Sequence, residues 1–298
     1  SFESLGLDNK LLEHIFGLSD VSRNKGMGLK VPTICQSLSV PVLMNGKNLM
    51  LKSETGSGKT LAYVLPLVSK LGTCSPKVSR DDGTLAIVLA PTRELSLQIF
   101  EVLLKAVSPH IWVIPGCISG GESRKSEKAR LRKGVNILVS TPGRLLDHLK
   151  QTESFKTDGL KYLVLDEADR LLDLGFEKQI SEILERLGIP LEKERRKKAL
   201  QAVMVSATIS PAVSKLGNML LGDHTFIDAD LEVTRSVEEN RKFEEAAASD
   251  ASESCQKEGM AYQIPEQLAQ LFIVVTQKLR LSALSAVLRQ RNRQKVVV

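Results

Sequence analysis

The segment of this sequence best suited to chemistry is SETGSGKT, at residues 53–60, which follows an apolar run and precedes a helical pattern. Its glycines allow backbone N–H groups to close around phosphate oxygens, and the start of the helix adds partial positive charge. The lysine would neutralise the outer phosphates, and the last threonine hydroxyl would bind Mg²⁺. The general pattern begins with glycine, whereas this chain has Ser53 there. The segment predicts a phosphate-binding loop with the binding residues Thr55, Gly56, Ser57, Gly58, Lys59 and Thr60.

A second candidate group is the acidic tetrapeptide DEAD at residues 166–169, which directly follows the apolar residues 163–165. A buried strand that ends in acids places carboxylates at the carboxyl edge of a parallel sheet, where open α/β folds bind ligands. Asp166 would bind Mg²⁺, and Glu167 would orient and deprotonate an attacking water. Alone, the tetrapeptide is equally consistent with an exposed helix cap. Together with the phosphate-binding loop, it indicates a nucleoside triphosphatase.

The elements that must position these residues are indicated by hydrophobic periodicity between residues 48 and 228. Strands are predicted at 48–52, 85–89, 112–115, 135–140, 161–165, 202–206 and 225–228. Helices are predicted at 58–71, 93–107, 143–150, 176–187 and 212–220. Strands that are apolar nearly throughout and alternate with helices indicate a parallel sheet covered on both faces. The expected fold is a doubly wound α/β domain.

The amino-acid composition outside residues 48–228 indicates three further segments. Residues 229–262 are acidic and rich in Ala and Ser, so they are predicted to form a mobile linker or insertion. Strand and helix patterns resume at 271–275, 278–288 and 295–298. We therefore expect residues 263–298 to be the truncated opening of a second α/β domain. Residues 1–47 form a separate N-terminal segment before the nucleotide-binding domain at 48–228.

Charge and composition restrict the class of partner. The net charge is +6, but residues 228–262 hold ten acidic and four basic residues, which leaves +12 for the rest of the chain. This excess indicates an anionic partner, although a basic surface can also serve solubility alone. Aromatic residues make up 4% of the chain, which favours contact with a phosphate backbone over base stacking.

Other residue types exclude several kinds of site. The four cysteines contain no CxxC pair and are too few for a disulfide scaffold, which indicates a reducing, intracellular setting. The four histidines lack ligand spacing, so no metal beyond nucleotide-bound Mg²⁺ is expected. No apolar run is long enough to span a membrane, and no membrane partner is expected.

Six segments together resemble the DEAD-box ATP-dependent RNA helicases. They are SETGSGKT, DEAD, SAT at 206–208, PTREL at 91–95, GG at 120–121 and TPGR at 141–144. Their order and spacing match this family over residues 1–228 and 263–298. The resemblance implies a RecA-like first domain, a second RecA-like domain that is truncated, and ATP with Mg²⁺ as cofactors.

The resemblance also implies roles for particular residues. Gln36 would read the adenine edge, and Phe2 would stack on the adenine, so that residues 1–47 form an adenine-recognition segment. Lys59, Asp166, Glu167 and Asp169 would serve catalysis. Ser206 and Thr208 would couple ATP to RNA separation, although such a pair can also satisfy turn backbone at a strand end. RNA-backbone contacts are implied for Pro91, Thr92, Arg93, Gly120, Gly121, Thr141, Pro142, Gly143 and Arg144.

Residues 122–133 carry six positive charges, which the solvated face of an amphipathic helix would explain without a function. With residues 111–112, the double glycine before it and Gly134 after it, this block resembles the nucleolar helicases of large ribosomal subunit assembly. This branch implies a location in the nucleus and nucleolus and ribosomal RNA as the partner. A monomer is expected. A DNA translocase and a non-catalytic RNA clamp are the alternatives. No arginine-rich motif of a second domain precedes Val298, so the chain by itself is expected to be nearly inactive.

Overall fold

The computed structural model describes residues 1–17, 26–189 and 200–232, together with residues 285, 286 and 289. Residues 1–232, where described, belong to one compact unit that spans Ser1–Ala247. The patterns at 271–275, 278–288 and 295–298 fall outside the described residues, apart from 285 and 286, which are helical.

The described strands and helices alternate along the chain, and the helices Arg124–Arg132 and Ala168–Asp173 are not among those predicted from the sequence. The helices are α1 (Asn9–Phe16), α2 (Ile34–Met44), α3 (Lys59–Gly72), α4 (Arg93–Ala106), α5 (Arg124–Arg132), α6 (Pro142–Gln151), α7 (Ala168–Asp173), α8 (Glu177–Arg186) and α9 (Pro211–Leu221). The strands are β1 (Asn48–Lys52), β2 (Ala86–Leu89), β3 (Pro115–Ile118), β4 (Ile137–Ser140), β5 (Tyr162–Leu165), β6 (Gln201–Ser206) and β7 (His224–Asp228). Short 3₁₀ helices lie at Phe2–Leu5 and Arg80–Asp82.

These seven strands form a single parallel sheet in the order β3-β4-β2-β5-β6-β1-β7. Alternate side chains of the central strands enter two separate apolar clusters, as a sheet with both faces covered requires. One cluster takes Leu49, Leu51, Val88, Val139, Val164 and Val203, and the other takes Met50, Ile87, Leu138, Leu163 and Met204. The predicted doubly wound α/β fold is confirmed.

The strand order determines which ends can share a site. The carboxyl ends of β1, β6 and β5 are neighbours, and those of β2, β4 and β3 are neighbours on the other side. The two groups meet where Leu89 pairs with Leu165, and the N–H of Asp166 donates to the Leu89 carbonyl at 2.9 Å. The loops at this edge therefore form two adjacent clusters on one sheet.

The predicted strand at 112–115 is wrong, because the strand in this region is β3. It is an edge strand that pairs only with β4 among the described strands, and Pro115 opens it. Proline is tolerated at the start of an edge strand because it has no N–H to donate. A side chain at Gly116 would collide with Val135, so the central residues of β3 are small. The apolar run at 111–114 instead leads into the strand, and Ile111 is exposed.

Two boundaries also differ from the sequence expectation. The N-terminal helix α1 contributes Leu11 and Ile15 to the same apolar cluster as the sheet, so it packs as part of the domain. At the other end, the sequence predicts that residues 229–232 belong to the linker, yet they are helical and Ala229 is buried. Residues 233–262 lie outside the described residues.

None of the described helices is both long enough and apolar enough to cross a membrane.

Candidate active site and nucleic-acid interface

The phosphate-binding loop connects β1 to α3. Gly56 and Gly58 have φ angles of 85° and 86°, in the left-handed region that favours glycine, and Gly58 is the N-cap of α3. The Lys59 side chain is largely buried, and its ammonium donates a 2.9 Å hydrogen bond to the Ser53 carbonyl. The loop thus combines a helix N-terminus with a cation, which is an arrangement that can hold a phosphate chain.

Ser53, which replaces the usual glycine, holds the loop together. Its N–H donates to the Ser206 carbonyl at 3.0 Å, which links the loop to the end of β6. Its hydroxyl donates to the Ser57 hydroxyl at 2.6 Å, and Ser57 in turn donates to the Glu54 carbonyl at 2.9 Å. The serine hydroxyl therefore adds one hydrogen bond within the loop that glycine could not make.

A contact that the sequence did not reveal fixes the start of the loop. The N–H of Glu54 donates to Asp230 Oδ1 at 3.0 Å. Asp228 accepts from the N–H of Asp230 at 3.2 Å and forms an ion pair with Lys52 at 2.8 Å. The residues lie 176 positions apart and meet because β7 pairs with β1, with Lys52 opposite Asp228. No local spacing in the sequence signals this contact.

Asp166 lies buried at the end of β5. Its Oδ2 accepts a 2.7 Å hydrogen bond from the Tyr63 hydroxyl, and its Oδ1 accepts from the N–H of Glu167 at 2.9 Å. Burial raises the pKa of Asp166, against the opposing effects of the Tyr63 hydrogen bond and the positive charge of Lys59. Burial and the neighbouring Asp166 carboxylate raise the pKa of Tyr63 well above its ordinary value, so Tyr63 stays a donor.

Glu167 has an unusual backbone conformation. Its φ and ψ are 49° and 57°, and within the described ranges it is the only residue other than glycine with a positive φ. It is the N-cap of α7, but its side chain makes no capping hydrogen bond. A carboxylate that is not used as a cap is available for other chemistry.

Asp169, Ser206 and Thr208 form a hydrogen-bonded group that joins the ends of β5 and β6. Asp169 Oδ2 accepts from both the N–H and the hydroxyl of Thr208, each at 3.0 Å. The Ser206 hydroxyl accepts from the N–H of Asp169 at 3.2 Å and donates to the Thr208 carbonyl at 2.7 Å. The structure brings these three predicted residues together and connects them to the phosphate-binding loop through the Ser206 carbonyl.

The donors near the loop suit Mg²⁺. Thr60 and Asp166 offer only oxygen atoms, which Mg²⁺ prefers, and Lys59 is close enough to Asp166 to affect its pKa. Among the described residues, no cluster of three or more His, Cys, Asp or Glu could hold a metal by itself. Mg²⁺ often binds through one or two protein oxygens together with substrate phosphates, which fits this small donor set.

The two predicted adenine contacts differ in the structure. Gln36 caps α2 with Thr33, and its amide donates to the Gly58 carbonyl at 3.2 Å, which brings Gln36 to the phosphate-binding loop. The Phe2 ring is fully buried and lies edge-on to Phe16, with 6.2 Å between ring centroids. A fully buried ring offers no face to an adenine, so this arrangement does not support stacking by Phe2.

The predicted nucleic-acid contacts lie at the ends of β2, β3 and β4. Thr92 caps α4, where its hydroxyl accepts from the N–H of Leu95 at 3.2 Å, and Thr141 is the N-cap of α6. Pro142 occupies the first turn of α6, where a missing N–H costs nothing. Pro91 precedes α4, and Gly143 lies within α6. Two helix starts therefore face the same edge, where they suit phosphate groups.

The double glycine after β3 lies between two arginines. Gly120 and Gly121 have φ angles of 85° and 86°. A side chain at Gly121 would collide with the Arg93 guanidinium, and one at Gly120 would lie 3.4 Å from Arg144 Nε. The positive φ angles favour glycine at both positions, and at Gly121 any side chain would also displace the Arg93 guanidinium. The structure thus gathers Arg93, Arg144 and the double glycine, as predicted.

Residues 33–216 match the model of the DEAD/DEAH box helicase family. The chain belongs to this family. It is 41% identical over its whole length to the human "ATP-dependent DNA helicase DDX31", of which the match covers 34%. It is also 41% identical to "ATP-dependent RNA helicase dbp7" of Aspergillus fumigatus, over 96% of this chain and 37% of that protein.

A solved structure supports the fold of this DEAD-box chain. The crystal structure of a DEAD box protein from the hyperthermophile Methanococcus jannaschii matches 76% of the chain and 55% of that protein, with a TM-score of 0.62 and 31% identity. The predicted RecA-like architecture is thereby confirmed. The chain spans between 27% and 49% of the length of the first four curated relatives that it matches.

Proposed function

We propose that this chain is the ATP-binding RecA-like part of a DEAD-box RNA helicase, which couples ATP binding and hydrolysis to local remodelling of RNA. The observation that carries the proposal is the shared sheet edge. The phosphate-binding loop and DEAD tetrapeptide follow β1 and β5, while the predicted RNA residues follow the neighbouring strands β2, β4 and β3. A change at one cluster can reach the other through the pairing of β2 with β5.

Each residue of the nucleotide cluster has a proposed task. Lys59 and the N-terminus of α3 bind the phosphates, while Thr60 and Asp166 hold Mg²⁺. When bound, Mg²⁺ offsets phosphate charge in the transition state. Glu167 takes a proton from the water that attacks the outer phosphate. Asp169, Ser206 and Thr208 transmit the state of the nucleotide toward the RNA cluster, because the same hydrogen-bonded group also holds the loop through Ser53.

The proposed RNA contacts involve phosphate and 2′-hydroxyl groups, because the cluster offers helix starts and arginines at one strand edge. The basic block and its flanking glycines resemble the ribosome-assembly branch of the family. We therefore propose ribosomal RNA as the partner, a monomeric state and a nucleolar location.

A second candidate function is suggested by the relatives' names. The human and Dictyostelium discoideum relatives are called DNA helicases, whereas the Drosophila melanogaster relative is called a probable RNA helicase. Backbone phosphates are common to both nucleic acids, so a DNA helicase is the alternative to RNA remodelling.

The decisive experiment is phosphate release by the full-length protein that contains this chain, with RNA or DNA of equal length and sequence. The proposal expects stimulation by RNA and little by DNA. Stimulation by DNA alone would favour the second candidate, and no hydrolysis under either condition would favour a non-catalytic clamp. An Arg93→Ala variant should lower the stimulation of phosphate release by RNA. Lys161→Ala should not, because Lys161 lies at the opposite end of β5 from the DEAD tetrapeptide.

A further inference from the structure

A carboxylate of the basic helix α5 is turned inward. Glu127 is 1% exposed, although it lies between the basic residues Arg124, Lys125, Lys128 and Arg130. A buried carboxylate is costly unless positive or hydrogen-bonding groups surround it. Its position therefore requires specific partners, and the structure provides them on α6.

One partner is Arg144, a proposed RNA contact. Arg144 Nη1 lies 3.5 Å from Glu127 Oε2, and 24% of the Arg144 side chain is exposed. Its Nε lies near the backbone of Gly120 on another side. The guanidinium is thus paired with a carboxylate, lies close to the double glycine and remains partly accessible.

The second partner is His148, one helical turn after Arg144 on α6. His148 Nε2 lies 3.1 Å from the same oxygen, Glu127 Oε2, and Nδ1 lies 2.9 Å from the Thr152 hydroxyl. Residues four apart lie on the same face of a helix, so Glu127 can contact both. The histidine is itself buried, so its hydrogen bond with the Glu127 carboxylate is shielded from solvent.

We propose that Glu127 and His148 are positioning residues, which orient the Arg144 guanidinium for the nucleic-acid backbone. This inference rests on the proposed RNA contact of Arg144. A guanidinium recognises phosphate through hydrogen bonds of fixed direction. Both the charge of the guanidinium and its orientation therefore affect the affinity for RNA. Glu127 Oε2 sets this orientation as the anionic partner of Arg144 Nη1, 3.5 Å away, and its hydrogen bond with His148 Nε2 holds the carboxylate in place.

A purely electrostatic role for Glu127 predicts a different result. Removing a negative charge beside Arg144 increases the local positive potential, which strengthens binding to RNA. If Glu127 instead positions Arg144, its removal weakens binding to RNA. Substitution by Met or Gln removes the same charge, but only Gln keeps an oxygen that can accept hydrogen bonds. The two variants therefore separate position from charge.

The experiment measures the affinity of the 298-residue chain for a fluorescent single-stranded RNA by anisotropy at low salt. We expect Glu127→Met to bind roughly tenfold more weakly and Glu127→Gln to remain within about threefold of the original chain. Equal effects of Met and Gln, or tighter binding by both, would overturn the inference. Asp147→Asn is the matched control, because Asp147 forms an exposed ion pair with Arg124 on the same two helices.

A double-mutant cycle distinguishes positioning from general support of the fold. In an Arg144→Ala background, Glu127→Met should have no further effect on RNA affinity, and ADP affinity should stay unchanged throughout. A further loss in that background would contradict positioning through Arg144. If Arg144→Ala alone binds RNA normally, the proposed RNA contact fails, which is a separate outcome from failure of the positioning role.

His148 offers an independent test if Glu127→Met does not fold. His148→Leu removes the donor to Glu127, whereas a glutamine amide can replace Nε2. We expect His148→Leu to weaken RNA binding about fivefold and His148→Gln to restore most of it. Equal RNA affinities for the two variants would contradict the role of His148.

Discussion

The hydroxyl of Tyr63 donates a 2.7 Å hydrogen bond to Asp166, and both side chains are buried. Tyr63 follows Lys59 by four residues on α3, so the two lie on one face of the helix. That face therefore serves both the phosphate-binding loop and the end of β5. Because α3 starts at the loop, the position of the Asp166 carboxylate depends on the helix that also places Lys59.

Binding of Mg²⁺–ADP is expected to weaken as the pH is lowered from neutral into the acid range. Burial raises the pKa of Asp166, so its carboxylate takes up a proton at a higher pH than an ordinary aspartate does. Above this pKa, the contribution of Mg²⁺ to the association constant of ADP is complete. Below it, that contribution falls about tenfold for each pH unit. Calorimetry across this range provides the measurement. The same titration in EDTA is the control, and an equal pH dependence there would exclude Asp166 as the cause.

A Tyr63→Phe variant should unfold more readily, by about 1 to 3 kcal/mol, because the buried Asp166 loses a donor. The Tyr63 hydrogen bond lowers the pKa of Asp166, so its loss raises that pKa further. Since a raised folded-state pKa means that ionisation costs stability, the defect should be larger at high pH than at low pH. Urea unfolding at two pH values tests this. Tyr162→Phe is the control, and an equal defect in both variants would contradict the role of Tyr63.

Lys59→Ala is expected to abolish measurable nucleotide binding, because no other described ammonium lies within the loop. Glu167→Gln should keep ADP and ATP affinity within about threefold, since it removes the base but preserves the shape of the site. Calorimetry on both variants separates binding from catalysis. Unchanged affinity in Lys59→Ala would remove the loop from the proposed site.

ADP should bind more tightly than GDP. An amide can pair with the donor and acceptor edge of adenine, whereas guanine O6 leaves one Gln36 hydrogen bond unmade, at a cost of roughly 1 to 3 kcal/mol. Gln36→Ala should remove this preference and also weaken both nucleotides, because the amide also holds Gly58. Competition between ADP and GDP, measured for the original chain and for Gln36→Ala, tests this expectation. A preference that survives Gln36→Ala would assign adenine recognition to other residues.

The chain by itself should bind ATP but release phosphate slowly, with or without RNA. The family resemblance implies that arginines of a second RecA-like domain also contact the outer phosphate, and such residues contribute about 10³ to 10⁵ in rate to P-loop enzymes. Steady-state phosphate release compares the chain with the full-length protein that contains it, and Glu167→Gln of the longer protein gives the background. Equal RNA-stimulated rates would contradict a two-domain mechanism.

Local pattern was sufficient to predict most of the sheet and the residues at its carboxyl edge. The phosphate-binding loop and the DEAD tetrapeptide each carry their chemistry within eight residues, and alternation of strands and helices places them at one edge. The prediction failed at β3, because Gly116 and Cys117 lack the apolar pattern of a strand and the more hydrophobic residues lie before it. A side chain at Gly116 would collide with Val135, and such a contact between separate elements is not visible in the local sequence.

Long-range contacts were the other part that the sequence did not reveal. Asp230 and Glu54, or Glu127 and Arg144, meet only because separate elements lie side by side. Tyr63 is different, since its spacing from Lys59 places it on a predictable helix face. Thr33 also carried a local signal, as a threonine three residues before a glutamine is typical of a capping box.

The left-handed backbone of Glu167 has a consequence for natural selection at this position. A residue other than glycine in this region costs about 1 to 3 kcal/mol, and asparagine or aspartate tolerates it better than glutamate does. A chain selected for stability alone would therefore accept glycine or asparagine at position 167. Glutamate at this position therefore costs some stability, which fits the proposed role of its carboxylate. The conformation thus supports, independently of any motif, the proposal that Glu167 has a chemical task.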